Sequence, residues 1–275
     1  MGVSLPRLAF LGTGKMSGAI LTGVVQPGVD VAGIRATTQS EHSAAALRER
    51  GIDAKCVDAE PEANRWAVDG ADVVVLGVKP PYIVELAASV REAVSPEAVL
   101  VSLAAGITTA QIDAVCDNPV VRAMPNTPSQ IQQGVTGVAA GSRASDRHVA
   151  VVSDVFSQVG QVVVVREDQI DALSAISGSG PAYVFYLAEK LIDVARSRGF
   201  TDEQAQTMVR GTLLGASSLL AQSEHTADAL RLAVTSPRGT TEQAIAVFDE
   251  HDLGSVIDEA VTRAVARAHE LSAGA

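Results

Sequence analysis

The chain has 275 residues, which at ~150 residues per domain predicts two domains, with one large sandwich or barrel as the alternative. Its composition, 47% hydrophobic and 19% charged, excludes a disordered chain, a collagen and a disulfide framework. A net charge of -11 without a basic stripe argues against a nucleic-acid partner. Cys56 and Cys116 show no metal-ligand spacing, so we expect free thiols and no metal site.

No stretch of the sequence reaches the ~20 apolar residues of a membrane span, and the first residues carry no signal-peptide pattern. We therefore expect a cytoplasmic protein that does not contact a membrane.

Short apolar runs alternate with longer amphipathic stretches over residues 1–165. This alternation predicts an α/β domain with a doubly wound parallel sheet and crossover helices. The predicted strands are Arg7–Leu11, Val31–Ile34, Asp72–Val78, Ala98–Leu103 and Val162–Val165. The predicted helices are Met16–Val25, Ser43–Arg50, Ile83–Ala93 and Asp146–Val159.

Residues 166–275 have a helical pattern, which predicts an all-α second domain. Pro181–Arg198 carries apolar residues at helical spacing, and Thr201 with Gln204 forms a capping-box pattern at the start of the next helix. That next helix is apolar over much of its circumference. We expect either a second subunit or the N-terminal domain to cover it.

A glycine-rich turn, Gly12-Thr13-Gly14-Lys15-Met16-Ser17, follows the first predicted strand. The glycines permit a tight turn and close approach of the backbone, and the helix that follows offers free N–H groups to a pyrophosphate. The strand before the turn and the helix after it favour a dinucleotide site over a turn without a ligand.

The second predicted strand is followed by Arg35-Ala36-Thr37-Thr38-Gln39-Ser40, without the acidic residue that binds a ribose 2′-hydroxyl. An arginine and several hydroxyls favour a 2′-phosphate, and hence NADP(H), with a solvated loop as the alternative. Lys79 ends another strand at the edge where such sheets bind ligands, so cofactor contact and simple solvation both stay open.

Three later segments combine rigid or small residues. The prolines of Arg122–Pro128 predict a rigid extended loop that holds Asn126 and Thr127, with a turn in which these two side chains satisfy backbone groups as the alternative. Ile176–Tyr183 leaves space for an anion or a neighbouring helix. In Ser236–Gln243, Thr240 and Gln243 stand in capping-box register, which predicts either a carboxylate site or a simply capped helix. The histidines and carboxylates form no triad, so the chemistry is expected to rest on a cofactor and on positioning.

Taken together, these motifs resemble the pyrroline-5-carboxylate reductase family. The resemblance covers nearly the whole chain and rests on LGTGKMSGAI, LGVKP, SLAAGI, RAMPNTP, ISGSGPAYVF and SPRGTTEQAI, in the family's order. It implies a Rossmann-like domain over residues 1–165 for NADPH or NADH. It also implies a helical dimerisation and substrate domain over residues 166–275, and therefore homodimers or rings of dimers.

The resemblance also assigns residues by position. Cofactor contacts fall on Gly12, Gly14, Lys15 and Met16 at the pyrophosphate, on Thr37 and Thr38 near the adenosine, and on Asn64 at the ribose. The nicotinamide side is assigned to Val78, Lys79, Pro80, Ala104, Ala105, Gly106, Met124, Pro125 and Asn126. The backbone N–H groups of Gly239, Thr240 and Thr241 would hold the substrate carboxylate.

The implied reaction is hydride transfer from the nicotinamide to the imine carbon of 1-pyrroline-5-carboxylate, which gives L-proline. Thr241 is the candidate to hydrogen-bond the ring nitrogen, with Ser177 and Ser236 as supporting hydroxyls, and an iminium substrate or a water as the other proton source. Arg238 departs from the family's second glycine, as in SPGGTT, which leaves substrate preference open.

Two alternatives remain open from the sequence. One is a related NADP-linked reductase of another cyclic imine or of a hydroxy acid, and the hydroxy-acid version would use Lys190, the only lysine after residue 165. The other is a scaffold that keeps nucleotide binding but has no turnover.

Overall fold

The computed structural model describes residues 3–273, with side chains as far as residue 270. The chain divides into two compact units. One runs up to Ser179 and includes the residues from Ala264 onward, and the other is Gly180–Arg263. The domain boundary predicted between residues 165 and 166 was placed where the sequence pattern changes, whereas these two units are defined by compactness. The predicted boundary therefore stays a prediction.

The first unit is built on one eight-stranded sheet. Its strands are β1 (Val3–Leu11), β2 (Val29–Thr38), β3 (Asp53–Cys56), β4 (Val73–Leu76), β5 (Val99–Ser102), β6 (Val120–Met124), β7 (Gly134–Ala140) and β8 (Gly160–Val164). They lie in the order β3-β2-β1-β4-β5-β6-β7-β8. The first six are parallel, whereas β7 pairs antiparallel with β6 and parallel with β8. The strand order reverses between β1 and β4, where doubly wound sheets bind ligands.

Helices connect the strands of the sheet, and further helices follow the last strand. Those of the sheet unit are α1 (Lys15–Val24), α2 (Glu41–Glu49), α3 (Ala63–Val68), α4 (Ile83–Val90), α5 (Thr109–Asp113), α6 (Asp146–Ser157) and α7 (Ile170–Leu173). Then follow α8 (Gly180–Ser197), α9 (Asp202–Gln222), α10 (Ala227–Ala233), α11 (Thr240–Glu250) and α12 (Leu253–Ala273). None of the helices in residues 3–273 has the length and hydrophobicity that crossing a bilayer requires.

Two apolar clusters cover the two faces of the sheet. Successive strand residues point to opposite faces, so Phe10 lies in one cluster with Phe156, whereas Leu11 lies in the other with Ile83. A sheet buried on both faces by helices is the architecture that the alternating pattern predicted, and the α/β fold class with a helical C-terminal region is confirmed.

Three strands of the sheet were not predicted as strands. Two of them, β3 and β7, had no predicted counterpart, and the third, β6, contains Arg122–Met124, for which an extended loop was predicted. The extended backbone was predicted correctly, but its pairing was not, because a strand and an extended loop have the same local conformation. The second strand also continues beyond Ile34 to Thr38.

The helical unit has a small core. Thr201 caps α9 through Gln204 as predicted, and α8 packs on α9 through Ile192, Ala205 and Val209. Many of its large apolar side chains are exposed, with Leu214 at 70%. This amount of exposed apolar surface is typical of an element that another surface covers.

Candidate active site

A cavity of about 830 Å³ lies at the carboxyl ends of β1, β2 and β4. This volume is in the range of cofactor pockets. Its lining consists of the glycine turn, the end of β2 with the start of α2, one residue of α3, and the segment from the end of β4 into α4. The lining residues are Gly12, Thr13, Gly14, Thr38, Gln39, Ser40, Ser43, Asn64, Gly77, Val78, Lys79, Tyr82, Glu85, Leu86 and Ser89.

Glycine is required at two neighbouring positions, in the turn after β1 and directly after β4. Gly12 has φ +79°, a left-handed conformation, and a Cβ there would lie 2.5 Å from Val78 Cγ1. A Cβ on Gly77 would lie 1.9 Å from Ser17 Oγ and 2.8 Å from the Gly12 carbonyl oxygen. The ends of β1 and β4 therefore approach each other more closely than side chains would allow.

The first turn of α1 offers free hydrogen-bond donors at this cavity. Gly14 is the N-cap residue and provides no side-chain cap, and the first turn contains no acidic side chain. Thr13 Oγ1 and Ser17 Oγ are buried and have no partner among the described residues. Unpaired N–H groups at a helix N-terminus and orphaned hydroxyls fit a pyrophosphate. Lys15, the first residue of α1, is exposed there.

The adenosine side of the cavity is organised by β2 and α3. Asn64 lines the cavity and accepts a hydrogen bond through Oδ1 from Thr37 Oγ1 at 2.8 Å. Thr37 is fully buried and lies one layer beneath the lining, whereas Thr38 belongs to it. Thr38 donates its hydroxyl to the Ser40 carbonyl at 2.9 Å, which fixes the chain between β2 and α2.

Arg35 does not have the position that the 2′-phosphate argument assumed. Because β2 continues to Thr38, Arg35 lies within the strand, and its guanidinium donates to the carbonyls of Trp66 at 2.7 Å and Asp69 at 3.1 Å. The polar side chains that line the cavity just after β2 belong instead to Gln39, Ser40 and Ser43.

Sequence reasoning missed one wall of the cavity. This wall is formed by Tyr82, which precedes α4, and by Glu85, Leu86 and Ser89 along α4. Their spacing of three and four residues marks one face of the helix predicted from Ile83 onward, so the periodicity contained the signal.

The residues assigned to the nicotinamide side follow β4, β5 and β6. Val78 and Lys79 line the cavity and Pro80 starts the short 3₁₀ helix beside it. Ala104 and Gly106 are buried after β5, with Ala105 exposed between them, and Met124, Pro125 and Asn126 are buried at the end of β6. The residues after β5 and β6 share the carboxyl edge of the sheet with the cavity but are outside its lining.

The side chain of Asn126 makes two hydrogen bonds inside the sheet unit. Its Nδ2 donates to the Ser177 carbonyl at 2.9 Å, and its Oδ1 accepts from Val135 N–H at 2.9 Å. Ser177 in turn donates its own hydroxyl to the Leu173 carbonyl at 3.0 Å. Asn126 thus connects the end of β6 with β7 and with the π-helical turn Ser174–Gly178.

The start of α11 differs from the capping box that was predicted. Gly239 is the N-cap residue, Thr240 is the first residue of the helix, and no side chain caps it, so the Thr240 and Gln243 capping box is wrong. The N–H of Gly239 donates to the Ser236 carbonyl at 2.9 Å. The N–H groups of Thr240, Thr241 and Glu242 in the first turn have no partner within the helix.

Arg238 and Lys190 lie in the same helical unit. Arg238 has φ +61°, and its N–H donates to Glu242 Oε2 at 2.7 Å. Lys190 is paired with Glu189 at 2.5 Å, and this hydrogen bond raises the pKa of Lys190 above its ordinary value.

The chain matches two family models. Residues 167–271 match the model described as pyrroline-5-carboxylate reductase dimerisation. Residues 7–106 match the model described as NADP oxidoreductase, coenzyme F420-dependent.

Relatives match over nearly the full length. A pyrroline-5-carboxylate reductase of Pseudomonas aeruginosa is 38% identical over 98% of this chain and 98% of its own length. The structure of such a reductase from Coxiella burnetii is 36% identical, with a TM-score of 0.90 over 96% of this chain and 98% of that one. A Plasmodium falciparum pyrroline carboxylate reductase, solved with NADP bound, shares the fold at 22% identity and a TM-score of 0.82, over 98% of this chain and 100% of that one. The resemblance seen in the motifs is confirmed, and the chain belongs to the pyrroline-5-carboxylate reductase family of oxidoreductases.

Proposed function

We propose that this chain reduces 1-pyrroline-5-carboxylate to L-proline, the last step of proline biosynthesis, with NADPH as the preferred reductant and NADH as the second. The observation that carries this proposal is the cavity at the reversal of strand order, with the uncapped start of α1 at its glycine turn, in a chain of this family. Both features fit a nicotinamide dinucleotide.

The cofactor end is held by backbone donors. The N–H groups at the start of α1, together with the Thr13 hydroxyl, hold the pyrophosphate, and the Lys15 ammonium adds a favourable charge. When bound, the dihydronicotinamide supplies a hydride to the imine carbon. The ring nitrogen takes a proton, so that the C=N double bond becomes a single bond.

The substrate end is assigned to the start of α11. The free N–H groups of Thr240 and Thr241 hold the carboxylate at the positive end of the helix. The Thr241 hydroxyl hydrogen-bonds the ring nitrogen, with the Ser236 and Ser177 hydroxyls in support. A threonine hydroxyl is a weak acid, so the proton arrives with an iminium substrate or from water.

The preference for NADPH rests on the end of β2. No acidic side chain follows Thr38 at the cavity, where an NAD-specific site would use one for the ribose 2′-hydroxyl. Gln39, Ser40 and Ser43 line the cavity there instead, and α2 begins at the same place with Ser40 as its N-cap. The Ser40 hydroxyl donates to Ser43 Oγ at 3.0 Å and one Gln39 N–H donates to Asp58 at 3.2 Å, which leaves the Ser43 hydroxyl and the second Gln39 N–H as donors. These donors suit a 2′-phosphate.

The working form is a homodimer through the helical domain, alone or in a ring of dimers. The dimerisation model that matches residues 167–271 and the exposed apolar side chains of α8 and α9 both support this assembly. A cytoplasmic location is part of the proposal, because the free, buried thiols of Cys56 and Cys116 suit a reducing compartment.

The alternatives are not favoured. A hydroxy-acid reductase would use Lys190 as its catalytic lysine, but Lys190 is exposed and paired with Glu189. Reduction of another cyclic imine, or nucleotide binding without turnover, finds no support in the relatives, whose names agree on one reaction.

Absorbance at the nicotinamide band tests the proposal. NADPH, and separately NADH, is mixed with purified protein, and 1-pyrroline-5-carboxylate is then added. The proposal predicts oxidation that depends on this substrate, with a higher kcat/KM for NADPH than for NADH. Nucleotide binding without substrate-dependent oxidation would contradict it.

A further inference from the structure

A buried hydroxyl joins the glycine turn to Asn64. Thr37 is 0% exposed, and its Oγ1 accepts a hydrogen bond from Gly12 N–H at 3.2 Å. The same oxygen lies 2.8 Å from Asn64 Oδ1. The Thr37 carbonyl also accepts from Thr13 N–H at 2.7 Å. Thr37 therefore contacts two parts of the cavity wall without lining the cavity itself.

The direction of these hydrogen bonds follows from the groups involved. A backbone N–H can only donate, so the Thr37 hydroxyl is the acceptor toward Gly12. The atom 2.8 Å from this hydroxyl is the Asn64 amide oxygen, which can only accept, so the hydroxyl directs its proton to Asn64. Asn64 consequently presents its amide nitrogen, a donor, to the cavity that it lines.

The helix that carries Asn64 is fixed from its other end. Arg35 donates to the Trp66 carbonyl at 2.7 Å and stacks 5.1 Å from the centre of the Trp66 ring. Lys55 lies 4.8 Å from the same ring. These contacts hold the backbone of α3. The side-chain amide of Asn64 could still rotate, and its hydrogen bond to Thr37 restricts that rotation.

We propose that Thr37 is a positioning residue of the cofactor site. It fixes Asn64 as a hydrogen-bond donor toward an oxygen of the ribose end of the dinucleotide. The proposal rests on the proposed function, since it takes NADPH as the ligand. It gives Thr37 an indirect role, through Asn64 and Gly12, in place of the direct contact expected from its position in the sequence.

The test is calorimetric titration of NADPH into the full-length protein and its variants. Thr37→Ser keeps the hydroxyl and should bind within about twofold of the wild type. Thr37→Val keeps the shape but removes the hydroxyl, so Kd should rise about tenfold, the effect of one hydrogen bond with a partner left unsatisfied. A merely structural role of Thr37 would raise Kd by the same factor with and without the Asn64 amide, which the double variant below tests.

Substitutions of Asn64 test the orientation itself. If the amide nitrogen faces the ligand, Asn64→Asp places a charged acceptor against an acceptor and should bind NADPH more weakly than Asn64→Ala. In the Asn64→Ala background, Thr37→Val should add no more than about twofold, because its main partner is absent.

Three results would overturn the role of Thr37: NADPH binding by Thr37→Val within twofold of the wild type, tighter binding by Asn64→Asp than by Asn64→Ala, or an equal loss from Thr37→Val in both backgrounds. A wild-type protein that binds no NADPH would instead overturn the proposed function, and this inference with it. The wild-type titration therefore distinguishes the two failures.

Discussion

Arg238 shows how a departure from a family motif acts on the backbone. Its φ of +61° is in the left-handed region, where a side chain costs ~1–2 kcal/mol and glycine costs nothing sterically. The glycine that the family has at this position is thus explained by the turn before α11. Arginine occupies the same turn at a cost in strain.

Arg238→Gly should therefore stabilise the protein. Relief of the left-handed strain, offset by the flexibility of glycine in the unfolded chain, predicts a gain of about 0.5 kcal/mol in the free energy of unfolding, measured with urea. Arg238→Ala is the matched control, since it removes the charge but keeps the Cβ. An equal gain from the alanine variant would attribute the effect to charge and contradict this account.

Gly77→Ala should disrupt the site through packing. The new Cβ would lie 1.9 Å from Ser17 Oγ and 2.8 Å from the Gly12 carbonyl oxygen, and the second contact cannot be relieved by a rotamer change. We expect a loss of ~1–3 kcal/mol in stability and weaker NADPH binding, by thermal unfolding and calorimetry.

Gly18→Ala is the control for this change. Gly18 lies in α1, where an added Cβ would have no other atom within 4 Å, so alanine should stabilise the helix by up to ~1 kcal/mol. If both variants changed stability by the same amount, the close approach of β1 and β4 would not be the cause.

At the scale of elements, a partly buried ionic network connects α5, β6, the segment before α7 and α7 itself. Glu167 accepts hydrogen bonds from Thr109 N–H and Thr109 Oγ1, each at 2.6 Å, at the start of α5. The Arg122 guanidinium, only 3% exposed, lies 3.6 Å from Glu167 and 3.3 Å from Asp171. This network fixes β6, whose end carries residues assigned to the nicotinamide side.

Glu167→Gln should destabilise the sheet unit by about 2 kcal/mol, because Arg122 then keeps only Asp171 as a charged partner. Asp168→Asn is the control, since its pair with Arg166 at 3.1 Å is largely exposed and should contribute less than about 1 kcal/mol. Urea unfolding of both variants measures the difference. Similar losses would mean that burial of Arg122 does not strengthen the network.

The elements with a strong local pattern were predictable. The strands β4 and β5 consist of continuous apolar runs and were predicted close to their observed bounds, and the start of α9 was predicted from its capping box. Strand β3 alternates charged and small residues, and β7 contains the four small residues Gly134, Gly137, Ala139 and Ala140, so neither has such a run and only tertiary pairing identifies them. The antiparallel pairing of β7 is likewise not encoded in local periodicity.

The site was predictable where a sequence motif fixes the backbone conformation. It was less predictable where the hydrogen-bond partners of a side chain depend on the tertiary structure. The glycine turn follows from its motif, whereas Asn64, which also lines the cavity, was assigned only through the family resemblance. The direction of the Arg35 guanidinium was not predicted, because it depends on carbonyls at the end of α3, more than thirty positions away in the chain. The sequence contains no signal that distinguishes a Thr37 hydroxyl that orients Asn64 from one that contacts the ligand directly.

At the scale of the whole molecule, the exposed apolar surface of the helical unit predicts assembly. Leu214 on α9 is 70% exposed, so in a monomer Leu214→Asp would have little effect. In the proposed dimer it places a charge in an apolar interface, and we expect a shift toward monomer in light scattering.

Val25→Asp is the matched control. Val25 is also an exposed apolar residue, at 40%, but it lies at the end of α1 outside the helical unit. We expect it to leave the assembly unchanged. A wild-type protein that is monomeric at micromolar concentration would contradict the proposed dimer directly.

The central claim is that the chain transfers a hydride to the imine carbon of 1-pyrroline-5-carboxylate, and isotope transfer tests it most directly. NADPH carrying deuterium at the transferring position of the nicotinamide is incubated with the protein and substrate, and the product is analysed by mass spectrometry and NMR. The account predicts L-proline with one deuterium on its δ carbon, in amount equal to the NADPH oxidised. Oxidation of NADPH without deuterated proline would contradict the claim.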